Sequence, residues 1–204
     1  MEVLAGIEAP VLLALQSIRV IGVTQLMAFI SALGNAAFIW LLIAVVMLFF
    51  ADRRTVGIVI ILAVIVTAIV SGLILSNLIG RPRPCDAGLG VTAVMGVSRA
   101  GFSLPSFHVA AGAATTAVIA LMLGRGQAVP AGILTLLIAF SRLFLGVNYP
   151  TDVLAGLIVG AVLGIAAAWV YNQWLGGLIQ EKFGGRTSIH NPRTSVGSGK
   201  HSRY

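Results

Sequence analysis

Residues 56–78 read VGIVIILAVIVTAIVSGLILSNL, without one charged side chain. A stretch of that length matches the roughly 20 apolar residues an α-helix needs to cross a hydrocarbon core about 30 Å thick. It is bracketed by Asp52-Arg53-Arg54 on one side and Gly80-Arg81-Pro82-Arg83-Pro84 on the other, so polarity returns abruptly at both ends. Outward from it, four more apolar segments of this kind cover residues 36–50, 105–123, 129–146 and 150–174. A first segment, residues 10–33, is apolar but carries Gln16, Arg19 and Gln25, and it either spans or lies along the interface.

Composition points the same way. The 204 residues are 58% hydrophobic and 9% charged, with mean hydropathy +1.03, whereas a soluble domain carries about 25% charged residues. The predicted fold class is all-α, an integral membrane bundle of about six transmembrane helices forming one domain over residues 1–176. Beyond it, residues 177–204 are Gly-, Ser- and Arg-rich and are expected to form a basic, disordered tail near anionic headgroups. The net charge is +7, but the basic residues are spread through loops and tail rather than gathered on one face, which argues against nucleic acid as a partner. The opening residues, with Glu2 and Glu8, lack the basic n-region of a cleaved signal peptide. Cys85 is the single cysteine and allows no internal disulfide.

Short cytoplasmic loops carry an excess of Lys and Arg. Counting six crossings puts Asp52-Arg53-Arg54, Arg125 and the basic tail on one side, which is assigned to the cytoplasm of a cell membrane with both termini there. Trp169, Tyr171 and Trp174 form an aromatic anchor close to it. The same count brings loop 80–104 and turn 146–152 together on the outer side, with Arg81, Arg83, Asp86, Arg99, His108, Arg142 and Asp152 in or beside them. Ionisable groups gathered at membrane depth mark a functional site. The last span repeats small residues at Gly156, Gly160 and Gly164, a stripe that admits a neighbouring helix closely and reads as packing within the bundle.

Three short motifs fall in this outer cluster. In Leu104-Pro105-Ser106-Phe107-His108, Pro105 fits the first position of a helix, which places Ser106 and His108 in a first turn whose free N–H groups and dipole attract an anion. Arg81 and Arg83 follow the third span and Ser141-Arg142 ends the fifth, and arginine forks match phosphate oxygens bidentately. Asn148-Tyr149-Pro150-Thr151-Asp152 opens the sixth span with an acid in its first turn.

The order Arg-Pro, Pro-Ser-x-His, then Ser-Arg with an aspartate ten residues further on resembles the type 2 phosphatidic acid phosphatase family. The resemblance covers about residues 36–174. It implies a metal-free and cofactor-free membrane enzyme that removes phosphate from lipid phosphates or diphosphates through a phosphohistidine. Its implied substrates are of the phosphatidate, phosphatidylglycerophosphate or polyprenyl phosphate class. Carried over by position, Arg83, Arg142 and Ser106 hold the phosphate, Arg81 adds charge, His108 is the general acid and Asp152 orients the nucleophile.

Three positions depart from that pattern. Ser76 stands where the family has a lysine, Phe107 where it has a glycine, and Asn148 where it has the nucleophilic histidine. An amide cannot form the phosphohistidine. Two functions therefore follow from the sequence. One is a lipid-phosphate phosphatase with an impaired nucleophile step. The other is a non-catalytic protein that binds a phosphorylated lipid, as carrier, sensor or subunit of a larger membrane assembly. If the family geometry holds, Asp152 accepts a hydrogen bond from the Asn148 amide.

Overall fold

The computed structural model describes residues 2–94, 96–97 and 101–175. The tail expected over residues 177–204, Arg99 and the Trp174 side chain lie outside the described residues. Every regular element described is helical: α1 Glu2–Ser17, α2 Ile21–Leu33, α3 Phe38–Leu48, α4 Arg54–Thr67, α5 Ser76–Ile79, α6 Phe107–Met122, α7 Arg125–Phe144 and α8 Pro150–Val170. A π-helical stretch, Ala68–Leu75, fuses α4 to α5 in one rod, and a second, Tyr171–Leu175, closes α8.

Large apolar side chains face outward along the rods, for example Leu73, Leu136, Ile158 and Val162, each more than half exposed. In water such a surface is a liability, but in lipid it is the solvated face. The chain is a multi-pass membrane protein.

Helix α6 runs through the middle of the bundle, packed chiefly on α7 and α8 and also on α4. The glycine stripe of α8 makes this possible. A Cβ on Gly156 would stand 2.7 Å from the Ser106 carbonyl, and one on Gly160 or Gly164 would collide with the backbone of Ala110 or Ala114. The stripe therefore packs inside the bundle, as its small residues predict. Being surrounded by helices, α6 need not match the bilayer: its 16 residues rise only about 24 Å.

The count of six full spans is not reproduced. Among the described residues three helices, Arg54–Asp86, Arg125–Phe144 and Pro150–Gln173, have the length and apolarity to cross alone, and the pair Ile21–Leu33 and Asn35–Leu48, bent by 52°, reaches that length only when its two halves are taken together. The 36–50 segment fails as a span of its own because α3 has 11 residues, a rise of about 16 Å. Its partner is the second half of the 10–33 segment, which breaks after Ser17. Helix α1, the other half, lies across one end of the bundle. Glu8 contacts Arg81 and the start of α8, Leu12 packs with Val91 and Tyr149, and Gln16 hydrogen-bonds Thr92. The chain then traverses the bundle as α2–α3, α4–α5, α6, α7 and α8. The basic sites Asp52-Arg53-Arg54 and Arg125 still share the end opposite to α1.

Candidate active site

Four breaks in regular structure meet at the α1 end of the bundle. Gly80, at φ +65°, ends α5 in the left-handed conformation that glycine adopts freely, and Pro82 and Pro84 prevent the helix from resuming. This turn delivers Arg81 and Arg83. The second break is the start of α6. The helix opens at Phe107 rather than at Pro105, and Ser106 is its extended N-cap with ψ 107°. Ser106 spends its N–H on the Asp152 carbonyl at 3.0 Å, and no side chain caps the helix start. His108 thus lies in the first turn as expected, while Ser106 stands just before it. The third is the turn from α7 to α8, which carries Asn148. The fourth, unforeseen in the sequence, is the bend between α2 and α3.

Arg83, Arg142, Ser106, His108, Asn148 and Ser76 line one cavity of about 260 Å³. Arg142, 1% exposed, donates from Nε to Asn148 Oδ1 at 3.0 Å and from Nη1 to Ser31 Oγ at 2.9 Å. Arg83 donates from Nη1 to the Val147 carbonyl at 2.8 Å and from Nε to that of Gly101 at 3.1 Å. These bonds fix both guanidinium planes before any ligand arrives, so little side-chain entropy remains to be lost on binding. His108 Nε2 lies 2.9 Å from Asn35 Oδ1 and 3.4 Å from Arg142 Nη1. Ser106 Oγ stands 3.4 Å from Asn148 Oδ1. Two arginines, a hydroxyl and an uncapped helix start around so small a space are suited to a tetrahedral oxyanion.

Two sequence expectations are corrected by the geometry. Asn148 does not bond Asp152: its Nδ2 donates to the Ser103 carbonyl at 2.8 Å. Asp152 instead accepts the Tyr149 N–H at 2.7 Å and Arg81 Nη1 at 2.8 Å. The reason is Arg81, which is no part of the cavity wall. It bridges Asp152 and Glu8, the latter at 2.6 Å from Nη2, donates to Thr151 Oγ1 at 2.7 Å, and lies 3.8 Å over the Tyr149 ring. The one guanidinium offsets one of the two buried carboxylate charges, and the N–H groups of Tyr149 and Thr151 hydrogen-bond the second oxygens of Asp152 and Glu8, since a buried charge without such partners is costly. Burial pushes the Tyr149 phenol above its ordinary pKa, against the pull of Arg81, so the ring under the guanidinium stays neutral.

The family model described as the PAP2 superfamily matches residues 54–175 of this chain. The chain belongs to the PAP2 superfamily. Among relatives, it is 29% identical over 137 residues to an undecaprenyl-diphosphatase of Sulfolobus acidocaldarius, covering 67% of this chain and 65% of the relative. It is 33% identical over 92 residues to the decaprenylphosphoryl-5-phosphoribose phosphatase of Mycobacterium tuberculosis, covering 45% and 48%. The matched stretches thus span less than two thirds of either relative. Two solved structures share the fold. The PAP2 type phosphatidylglycerolphosphate phosphatase of Bacillus subtilis superposes with TM-score 0.69 at 23% identity, over 85% of this chain and 89% of that one. LpxE of Aquifex aeolicus gives 0.68 at 18%, over 79% and 94%. The PAP2 match begins at residue 54, so Ser31, Asn35 and Glu8, three side chains that engage the site or its supports, come from sequence outside it. Nothing in their local sequence marks them, since each acts across the fold.

Proposed function

We propose that this PAP2 protein is a lipid-phosphate phosphatase, hydrolysing a phosphoric monoester or diphosphate at the outer face of the cell membrane. The observation that carries this reading is the convergence of Arg83, Arg142, Ser106 and His108 on one small cavity. Arg83, Arg142 and Ser106, with the α6 N–H groups, hold the phosphate, and His108 protonates the leaving oxygen. With Asn148 in the nucleophile's place, water is the attacking group and turnover is slow. Arg81 and Asp152 act behind the cavity by fixing the turn that carries Asn148. The names of the relatives support a polyprenyl phosphate or diphosphate, or phosphatidylglycerophosphate, as substrate, and phosphatidate belongs to the same chemical class. The basic connections at the far end support an outward-facing site.

A second reading, a protein that binds a phosphorylated lipid without turning it over, is favoured by one observation. Asn148 Oδ1 already accepts from Arg142 Nε and Ser106 Oγ, which leaves the amide no lone pair with which to take a proton from water. Purified protein incubated with undecaprenyl diphosphate, phosphatidylglycerophosphate or phosphatidate is expected to release inorganic phosphate, and to lose that activity in the His108→Ala variant. Tight lipid binding with no release from any of the three would transfer the protein to the second reading.

A further inference from the structure

The bend between α2 and α3 is stereochemically unusual. Ala36 and Ala37 both adopt left-handed backbone, at φ 48° and 57°, a region that residues with a Cβ seldom enter. Two such residues in succession cost energy and persist only where surrounding contacts impose them, which happens most at functional sites. The contacts here are with the cavity. Ala36 lines it. Gly34 lies so close to His108 that a Cβ there would stand 2.9 Å from the ring carbon Cδ2. Asn35, between them, places Oδ1 2.9 Å from His108 Nε2. Ser31, one turn earlier, accepts from Arg142.

Two groups compete for that one ring nitrogen. Asn35 Oδ1 is an acceptor and requires a proton on Nε2. Arg142 Nη1, at 3.4 Å, is a donor and requires a lone pair there. Asn35 is nearer, and Arg142 Nη1 already donates to Ser31 at 2.9 Å, so Asn35 decides. We infer that Asn35 is a positioning residue that holds His108 in the Nε2–H tautomer and so commits Nδ1 to the substrate's leaving oxygen. This rests on the phosphatase reading above and extends it. In the step, water forms a bond to phosphorus as the bond to the lipid oxygen breaks. The anionic phosphate, once bound between Arg83 and Arg142, lets Nδ1 take up a proton from water, and that proton passes from Nδ1 to the leaving oxygen, leaving neutral His108 with Nε2–H on Asn35. The proton lost by the water returns the ring to imidazolium.

The contact and the activity are separable by experiment. Protein labelled with [15N]histidine and carrying His190→Gln and His201→Gln, in lipid nanodiscs, gives imidazole signals from His108 alone. Two-bond nitrogen–proton correlation at alkaline pH is expected to show the Nε2–H tautomer. In Asn35→Ala, Arg142 is the contact of that nitrogen that remains among the described residues, and the spectrum is expected to move to Nδ1–H. Asn35→Asp is expected to keep Nε2–H and to raise the pH at which His108 loses its second proton. A parent already in the Nδ1–H form, or an Asn35→Ala spectrum unchanged from it, overturns the assignment. Should Asn35→Ala not fold, an unmoved titration in Asn35→Asp does the same. In phosphate release, Asn35→Ala is expected to lower kcat roughly tenfold, with KM within about twofold, and Asn35→Asp to recover part of the loss. If the parent releases no phosphate, the phosphatase reading falls while the tautomer measurement still decides the role of Asn35.

Discussion

Arg142 is buried in the bundle with its guanidinium held by Asn148 and Ser31, while the buried carboxylates of Glu8 and Asp152 both face Arg81. Arg142 and Arg83 both line the cavity, and both guanidinium groups attract an anion there. Phosphate or vanadate is therefore expected to raise the thermal midpoint of the purified protein, and Arg142→Ala to abolish most of that rise, since a hydrogen bond to a charged group contributes roughly 1.5–3 kcal/mol. Equal protection of both proteins would place the anion elsewhere. Asn148 is the second decisive residue. Replacing it by an imidazole restores a nucleophile beside Arg142 and Ser106, so Asn148→His is expected to raise lipid-phosphate hydrolysis at least about tenfold, a barrier lower by ~1.4 kcal/mol. Asp152 accepts from Arg81 and the Tyr149 N–H rather than from residue 148, so adding Asp152→Asn is expected to lower the gain by loosening the turn that carries the new ring. An unchanged rate in a variant that still binds phosphate would favour the binding protein over the enzyme.

At the scale of elements, the site depends on how closely α6 and α8 approach. Gly160 meets the Ala110 backbone directly, and a backbone carbonyl cannot turn aside as a side chain does. Gly160→Ala is expected to lower the stability of the detergent-solubilised protein by about 3 kcal/mol, at the upper end of overpacking costs. Gly126→Ala, at a glycine of α7 with nothing within 4 Å, is expected to be neutral or stabilising by about 0.5–1 kcal/mol. Comparable melting of the two variants would show that the stripe is not a tight seam. The stripe itself was legible in the sequence because small residues every fourth position have one structural use at such density. The bend at Gly34–Ala37 was not legible: Ala36 and Ala37 carry no turn chemistry, and only contacts with His108 and the cavity impose their conformation.

For the molecule as a whole, α1 at the site end predicts a labelling pattern in membranes. In a Cys85→Ser background, Ser17→Cys and Asp86→Cys are expected to react together with an impermeant thiol reagent in intact cells. Asp52→Cys, at the other end, is expected to react only after lysis. Labelling of Asp52→Cys with protection of the other two would turn the site to the cytoplasm, and labelling of Ser17→Cys together with Asp52→Cys would remove α1 from the site end.

By itself the sequence determined the solvent, the all-helical class and four of the principal rods, because a membrane admits few ways to satisfy backbone polar groups and long apolar runs declare the helical one. It also placed Arg83, Ser106, His108, Arg142 and Asn148 on one end, since span length fixes depth along each helix. What only the tertiary structure decided was the pairing of charges. Arg81 and Arg83 differ by one position on an irregular turn, and whether an arginine faces the cavity or a buried carboxylate depends on where Glu8 arrives from a helix some 70 residues distant in sequence. The same holds for Asn35 and Ser31. Depth is a local property of an apolar run, whereas the partner of a buried polar group is set by the packing of elements that the sequence places far apart.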